Sequence, residues 1–242
     1  MTAALLRSPV TISALAYDVL WESVVGGTHH PALPCGSPGG TGTERAEHVE
    51  TAMAELRAAG LAGRAGVDTD LLATIGLLNR ASRELYGWYT VGDDRASVLG
   101  VVTGTRAVVA HMACTKVALL PCTQGRVADT IGDLLPEYSP VRGAAVSVPI
   151  GDACADANPR VAYVARLLSA ARSGAGEFYL AVRDRLGGRQ RAEFPVCYAD
   201  TAGGRFLTIT RRGADRTVWM TLLPADRRVI AGKLREMITS PR

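Results

Sequence analysis

Apolar residues recur along this chain with two periods. Val127, Ile131, Leu134 and Leu135 fall at i, i+4, i+7 and i+8, and so do Ile230, Leu234, Met237 and Ile238. That spacing marks one face of a helix. Each helical pattern follows a strand-like run ending Leu-Leu-Pro, at Leu119-Leu120-Pro121 and at Leu222-Leu223-Pro224, an offset of 103 residues. Thr123 and Asp226 stand at equivalent positions, where a side-chain oxygen can accept from the free amides of a helix start. The agreement predicts a duplicated unit folded around a pseudo-twofold axis. The halves run from about 8 to 136 and from about 144 to 240, within a single domain spanning 1–242.

The same reading fills in each half. Val10-Thr11-Ile12 reads as a short strand, and Ser13 caps a helix carrying Tyr17, Leu20, Trp21 and Val24 on one side, stopped by Gly26-Gly27. Residues 28–42 form a Pro/Gly/Ser loop, exposed and flexible. Thr43 opens a helix with Val49, Met53 and Leu56 on its buried stripe and Gly60 as its stop; Asp68 or Thr69 opens a third. A four-strand meander follows, through Arg83–Val91, Ala96–Thr103, Arg106–Met112 and Thr115–Leu120, then a helix from Thr123 to Leu135. In the second half Val146-Ser147-Val148 parallels the first strand. Helices cover Gly151–Ala157 and Pro159–Arg172, and a second meander covers Glu177–Arg183, Arg191–Ala199, Arg205–Arg211 and Thr217–Leu222. Phe178, Leu180 and Val182 alternate with Tyr179, Ala181 and Arg183 on opposite faces. The last helix is Ala225–Thr239. Two meanders with helices outside them make an α+β protein, with a mostly antiparallel central sheet and flanking helices. Hairpin-length connections exclude a doubly wound parallel sheet.

Composition narrows the classes. The 48% apolar fraction supports a substantial core, and no run approaches the ~20 apolar residues that span a bilayer. The N-terminus carries no secretory pattern, and the five cysteines (Cys35, Cys114, Cys122, Cys154, Cys197) are scattered and odd in number. A soluble cytoplasmic protein with reduced thiols is expected. Thirteen of the 27 basic residues but only six of the 23 acidic ones fall within 183–242. Such a surplus either attracts an acidic partner or solvates exposed strands. It lacks the interleaved aromatics of a nucleic-acid platform.

Candidate chemistry is sparse. His29, His30 and Cys35 are the densest ligand-like group, but zinc wants four ligands and no fourth lies nearby. His111 and Cys114 suggest a thiol–imidazole pair without a third, orienting group. The Gly36–Gly42 stretch has no lysine for a phosphate loop, and Gly40-Thr41-Gly42 lacks the strand–helix context of a dinucleotide fingerprint. Asp93-Asp94 could bind a cation, though Asp is a favoured turn residue. No Ser/His/Asp order, HExxH or paired carboxylates on one helix face are present. No cofactor is expected.

Val10-Thr11-Ile12-Ser13 running into Tyr17-Asp18-Val19-Leu20-Trp21-Glu22 resembles the opening of the EspG family. A Pro/Gly loop (Pro31–Gly42) and then Thr43-Glu44-Arg45 follow, as they do in that family. So do Gly176-Glu177-Phe178, Val182-Arg183-Asp184-Arg185 and Gly188-Arg189-Gln190-Arg191. Asp200-Thr201, Gly204-Arg205-Phe206-Leu207, Arg211-Arg212, Trp219 and Leu223-Pro224-Ala225-Asp226 complete the order. The resemblance covers most of the chain. Two features depart from the family pattern, the His29-His30 and Cys35 loop and the short Gly92–Arg95 segment, whose counterpart in the family takes part in partner contact.

The resemblance implies an ATP-independent cytosolic chaperone of type VII (ESX) secretion in actinobacteria. It would bind the helical tip of the PPE protein in a PE–PPE heterodimer, or a related ESX substrate, and is not expected to be an enzyme. The logic is physical, because an apolar patch of several hundred Å² self-associates unless it is covered. Tyr86, Trp88, Phe206 and Trp219 are the aromatic candidates for the covering surface. Asp93, Asp94, Arg95 and the basic C-terminal strands, Arg205 among them, are candidates for its polar rim. Two other readings compete. One is a small-molecule enzyme of an α+β fold using Cys114 and His111. The other is a homodimeric regulatory module, or a weak homo-oligomer, in which an exposed edge strand pairs across chains.

Overall fold

Ser13 closes the first strand, β1 (Val10–Ser13), and its hydroxyl caps α1 (Ala14–Val24), accepting from the Ala16 amide at 3.0 Å. The structure is a computed structural model that describes residues 5–36, 38–150 and 158–239. α2 (Gly42–Ala58) starts one residue before the expected Thr43. Thr41 accepts from the Glu44 amide at 3.2 Å, and Glu44 reaches back to the Thr41 and Gly40 amides at 3.0 and 2.8 Å. That reciprocal capping box fixes the start. A small hairpin that the sequence does not announce, β2 (Ala62–Gly63) with β3 (Gly66–Val67), precedes α3 (Thr69–Arg80). Asp68 caps that helix, accepting from the Asp70 and Leu71 amides at 2.7 and 3.0 Å.

The first meander follows the alternation closely: β4 (Arg83–Val91), β5 (Asp94–Thr103), β6 (Arg106–Ala113) and β7 (Lys116–Thr123). β5 starts two residues early, at Asp94, and β7 runs through Pro121 to Thr123 rather than stopping at Leu120. β1 begins at Val10, opposite Leu119, so Pro121 sits where no neighbour on that side needs its missing N–H. A 3₁₀ turn, Gln124–Arg126, then leads into α4 (Val127–Leu134). Thr123 makes no side-chain cap bond, so its equivalence to Asp226 fails; Asp226 does accept from the Val229 amide at 2.8 Å.

The second meander is less regular than expected. After β8 (Val146–Ile150) and α5 (Pro159–Leu168), β9 spans Arg172–Arg183, beginning where the helix was expected to end. The expected strand Arg191–Ala199 divides into β10 (Arg189–Arg191) and β11 (Val196–Thr201), because Pro195 cannot donate to a ladder. β12 (Gly204–Arg212), β13 (Val218–Pro224) and α6 (Arg227–Thr239) complete the chain. The expected helix at 151–157, with Cys154, lies outside the described residues. Among the described residues no helix is long and apolar enough to cross a membrane.

The chain forms two units. The first comprises Met1–Tyr86 and Ala96–Val127, the second Gly87–Arg95 and Ala128–Arg242. This division differs from one between residues 136 and 144: the end of β4, its turn and most of α4 belong with the second unit. In the first unit the strand order is β1-β7-β6-β5 and then the start of β4, with antiparallel ladders from β1 to β5. α1 packs on α2 and α3 and is buried from Ala16 to Trp21. In the second unit the order is the end of β4, then β9-β11-β12-β13-β8, with β10 paired to the end of β9.

The registers inside the two units correspond. Val10, Thr11, Ile12 and Ser13 pair with Leu119, Ala118, Val117 and Lys116. Val146, Ser147, Val148 and Pro149 pair with Leu222, Thr221, Met220 and Trp219, which stand 103 residues after Leu119, Ala118, Val117 and Lys116. Two-residue turns join β5 to β6, where Thr103 faces Arg106, and β11 to β12, where Thr201 faces Gly204.

The second unit's sheet is covered differently on its two faces. Cross-strand pairing puts Phe178, Val196, Ile209 and Leu207 on one face, where α6 packs against β9 and β11. The other face holds Ala199, Phe206, Leu222 and Val148, buried with Val164 and Leu167 of α5.

Candidate partner-binding surface

Burial sorts the aromatic and charged candidates. Tyr86 is buried, its ring edge-on to His30 with centroids 5.0 Å apart. Phe206 is buried beneath α5. Arg205 is fully buried, against the expectation of a rim charge. Its guanidinium binds Asp200 through two bonds of 2.5 and 2.8 Å, donates to the Pro136 carbonyl at 3.0 Å, and lies 4.7 Å from the Tyr198 ring. The Arg205 N–H also donates to the Ser139 carbonyl at 2.7 Å, while its carbonyl accepts from Val141 at 2.9 Å. Arg205 therefore fastens the segment leading into β8 and has no surface to offer. These three residues are removed from the partner-contact set because their side chains point into the covered faces.

Trp88, Asp93, Asp94, Arg95 and Trp219 remain at the surface, all in the second unit. The large hydrophobic side chains that stand exposed among the described residues are Val91, Ile150, Leu186 and Trp219, and all four also belong to this unit. Register separates the two tryptophans. Trp219 pairs with Arg211, on the Phe178 face, at 41% exposure. It neighbours a groove of about 350 Å³ lined by Leu180, Phe194, Ile209 and Met237.

Trp88 lies on the opposite face, half-buried, its ring edge-on to Tyr179 with centroids 6.3 Å apart. The Arg191 guanidinium sits 4.7 Å above the same Tyr179 ring, and the Tyr179 hydroxyl donates to Glu177 at 3.2 Å. Burial, reinforced by Glu177, raises the Tyr179 hydroxyl above its ordinary range and pushes the nearby Cys197 thiol up to about 11. The hydroxyl therefore stays protonated as a donor. Past the edge of α5 the face thus offers an aromatic pair bracketed by a cation and a carboxylate. Tyr179, Arg191 and Glu177 carry no motif; the signal available in sequence was the alternation that set Tyr179 opposite Phe178. At one end of β9 lies the β4–β5 turn, where the Gly92 amide donates to the Ser173 carbonyl at 2.7 Å and Gly92 adopts φ +60°. Val91, Asp93, Asp94 and Arg95 stand exposed there.

The other candidates become structural, and all lie in the first unit. His29 stacks on Trp21 at 5.4 Å and approaches Asp18 at 3.3 Å, whereas His30 faces Glu84 at 3.4 Å. The two imidazoles point at different carboxylates, so they do not converge on one ion. Among the described residues no group of three His, Cys, Asp or Glu is placed to hold a metal. Burial first, and Asp18 second, pushes the Cys35 thiol up to about 12. Ala32 and Leu33 are fully buried, so the loop expected to be flexible is pinned from His29 to Leu33. His111 lies within β6, held below the ordinary histidine range by burial. Cys114 occupies the two-residue turn that follows, at φ +52°.

A family model described as the EspG family matches residues 13–236. No curated protein matches the sequence. Among solved structures, a chaperone of the type VII secretion system of Mycobacterium tuberculosis, EspG5 in complex with a PE25–PPE41 dimer, superposes with a TM-score of 0.71. The match covers 97% of this chain and 98% of that one, at 14% identity, and establishes likeness of fold.

Proposed function

This chain belongs to the EspG family, and from that premise we propose that it is an ATP-independent cytoplasmic chaperone of type VII secretion. It binds a PE–PPE heterodimer by the PPE helical tip, holds it against self-association, and makes or breaks no covalent bond. The observation that carries the reading is the gathering of every exposed large hydrophobic side chain among the described residues on the second unit. The surplus of arginine lies there too. The Trp88–Tyr179 face, with the β4–β5 turn as its lip, receives the tip. An aromatic platform supplies contact area, while Arg95, Asp93 and Asp94 supply polar pairs that tune release. The likeness to a chaperone solved with such a dimer supports this choice of partner.

The test is calorimetric titration of the purified chain with the PE–PPE pairs of its own genome. Trp88→Ala should weaken binding by about 2 kcal/mol, about thirty-fold. Arg95→Glu should weaken it further at low salt than at high salt. Wild-type chain that binds no such pair removes the function. Binding untouched by both substitutions removes this face.

A further inference from the structure

We propose that α3 is a two-sided helix whose outward face docks an acidic amphipathic helix of a second partner. The site lies in the first unit, whereas the Trp88–Tyr179 face lies in the second, so it goes beyond the function proposed above. One stripe of α3, Leu71, Ile75 and Leu78, is fully buried. An ordinary surface helix turns a polar face the other way. The opposite side of α3 instead carries Thr69, Leu72, Ala73, Leu77 and Arg80. These fall at i, i+3, i+4, i+8 and i+11, the spacing of a second packing stripe. That stripe forms one wall of a groove of about 490 Å³, and Thr103 and Arg106 at the end of the β5–β6 hairpin form the other. Leu72 and Ala73 are only half-buried. A helix apolar on both sides is ordinarily covered on both.

Charge selects the occupant. No carboxylate lines the groove, and two arginines do. Asp68 caps the helix through its side chain, and neither it nor Asp70 belongs to the lining. Arg80 stands at the C-terminal end of the stripe. Its Nε donates to the Gly76 carbonyl at 3.3 Å, and it forms no ion pair among the described residues. Gly76 permits that pose, since a Cβ there would meet Arg80 Nη2 at 2.7 Å. The chain thus leaves this guanidinium without a counter-charge at the groove, where a carboxylate of the partner completes a charge-assisted hydrogen bond. α3 has 12 residues, about 18 Å of helix. Three turns of a partner helix cover the stripe, with apolar side chains on Leu72, Ala73 and Leu77 and a carboxylate at Arg80. So short an interface falls in the transient size class, which suits a partner that binds and leaves.

The probes are three labelled synthetic peptides of about 14 residues, four helical turns, titrated by fluorescence anisotropy. One carries leucines at i, i+3, i+4 and i+7 with glutamates beside them; the second has lysine for each glutamate; the third scrambles the first. Wild-type chain should bind the glutamate peptide with a Kd on the order of 10 µM, and the other two about ten-fold more weakly or worse. Leu72→Gln should lower affinity for the glutamate peptide about ten-fold at unchanged charge. Arg80→Glu should invert the preference between the glutamate and lysine peptides. Both variants should keep the wild-type thermal midpoint and PE–PPE affinity. Wild-type chain that binds no peptide, or binds the scrambled one equally, overturns this site, as does glutamate-peptide binding indifferent to both substitutions. Loss of PE–PPE affinity in either variant overturns a separate site by merging the groove with the partner face. Displacement of the peptide by decanoate overturns it in favour of an anionic amphiphile, and a dimer that Leu72→Gln dissolves overturns it in favour of a second copy. Peptide binding as expected in a chain that binds no PE–PPE pair supports this site and removes only the function proposed above.

Discussion

At the scale of single residues, charge burial decides roles. Asp200 and Arg205 face each other across a two-residue turn, buried and joined by two hydrogen bonds. Removing one member of such a pair strands the other charge, which costs far more than the pair contributes. Arg205→Ala should lower stability by about 3–5 kcal/mol in urea unfolding. The spacing was legible, since residues flanking a hairpin turn pair across it; their depth was not. His29 carries a different consequence. Burial against Tyr17 and Trp21 holds it below the ordinary histidine range, with Asp18 opposing, and Arg45 competes for Asp18 at 2.8 Å. The fold thus favours neutral His29. The stability this confers is complete above the unfolded value of about 6.5 and is lost as pH falls through the lower folded value. Unfolding measured across that window should show falling stability toward acid. His29→Phe should flatten part of the slope, with the rest remaining from His111, which burial shifts the same way.

At the scale of elements, caps and close approaches set boundaries and packing. Ser13, Thr41 and Asp68 each satisfy a helix start through a side-chain oxygen. Such short-range bonds are why helix positions could be read to within a turn. Proline decided two of the strand errors, through Pro121 at an unpaired edge and Pro195 inside an expected strand. Helix–helix distance was not legible. α4 and α6 meet at Gly132, where a Cβ would come within 2.8 Å of Ala231 Cβ and 3.2 Å of the Arg227 carbonyl oxygen. An ion pair between Asp129 and Arg235 joins the same helices. Gly132→Leu should cost about 1–3 kcal/mol by overpacking, read as a lowered thermal midpoint.

For the molecule as a whole, self-association is the competing fate of any exposed sheet. Two devices blunt its terminal strands. The Ser13 amide at β1 is taken by Glu55 at 2.7 Å, and β8 carries Pro149. Neither strand offers a full row of donors to a second copy. Light scattering over a wide concentration range should give a mass near 25.5 kDa without a rise at the highest concentrations. A concentration-dependent dimer would favour the regulatory-module reading over a chaperone kept free for its partner.

Among the described residues, sequence alone determined the helices, the two meanders, their order and most of their caps. Those follow from hydrophobic period, turn chemistry and bonds between residues a few positions apart. It also exposed the basic surplus of the last strands. It could not decide which face of each strand a helix would cover, because alternation creates two faces without ranking them. Tertiary packing made that choice. α5, α6 and the segment before β8 buried Phe206 and Arg205, while Trp88, Tyr179 and Arg191 were left where another protein can reach them.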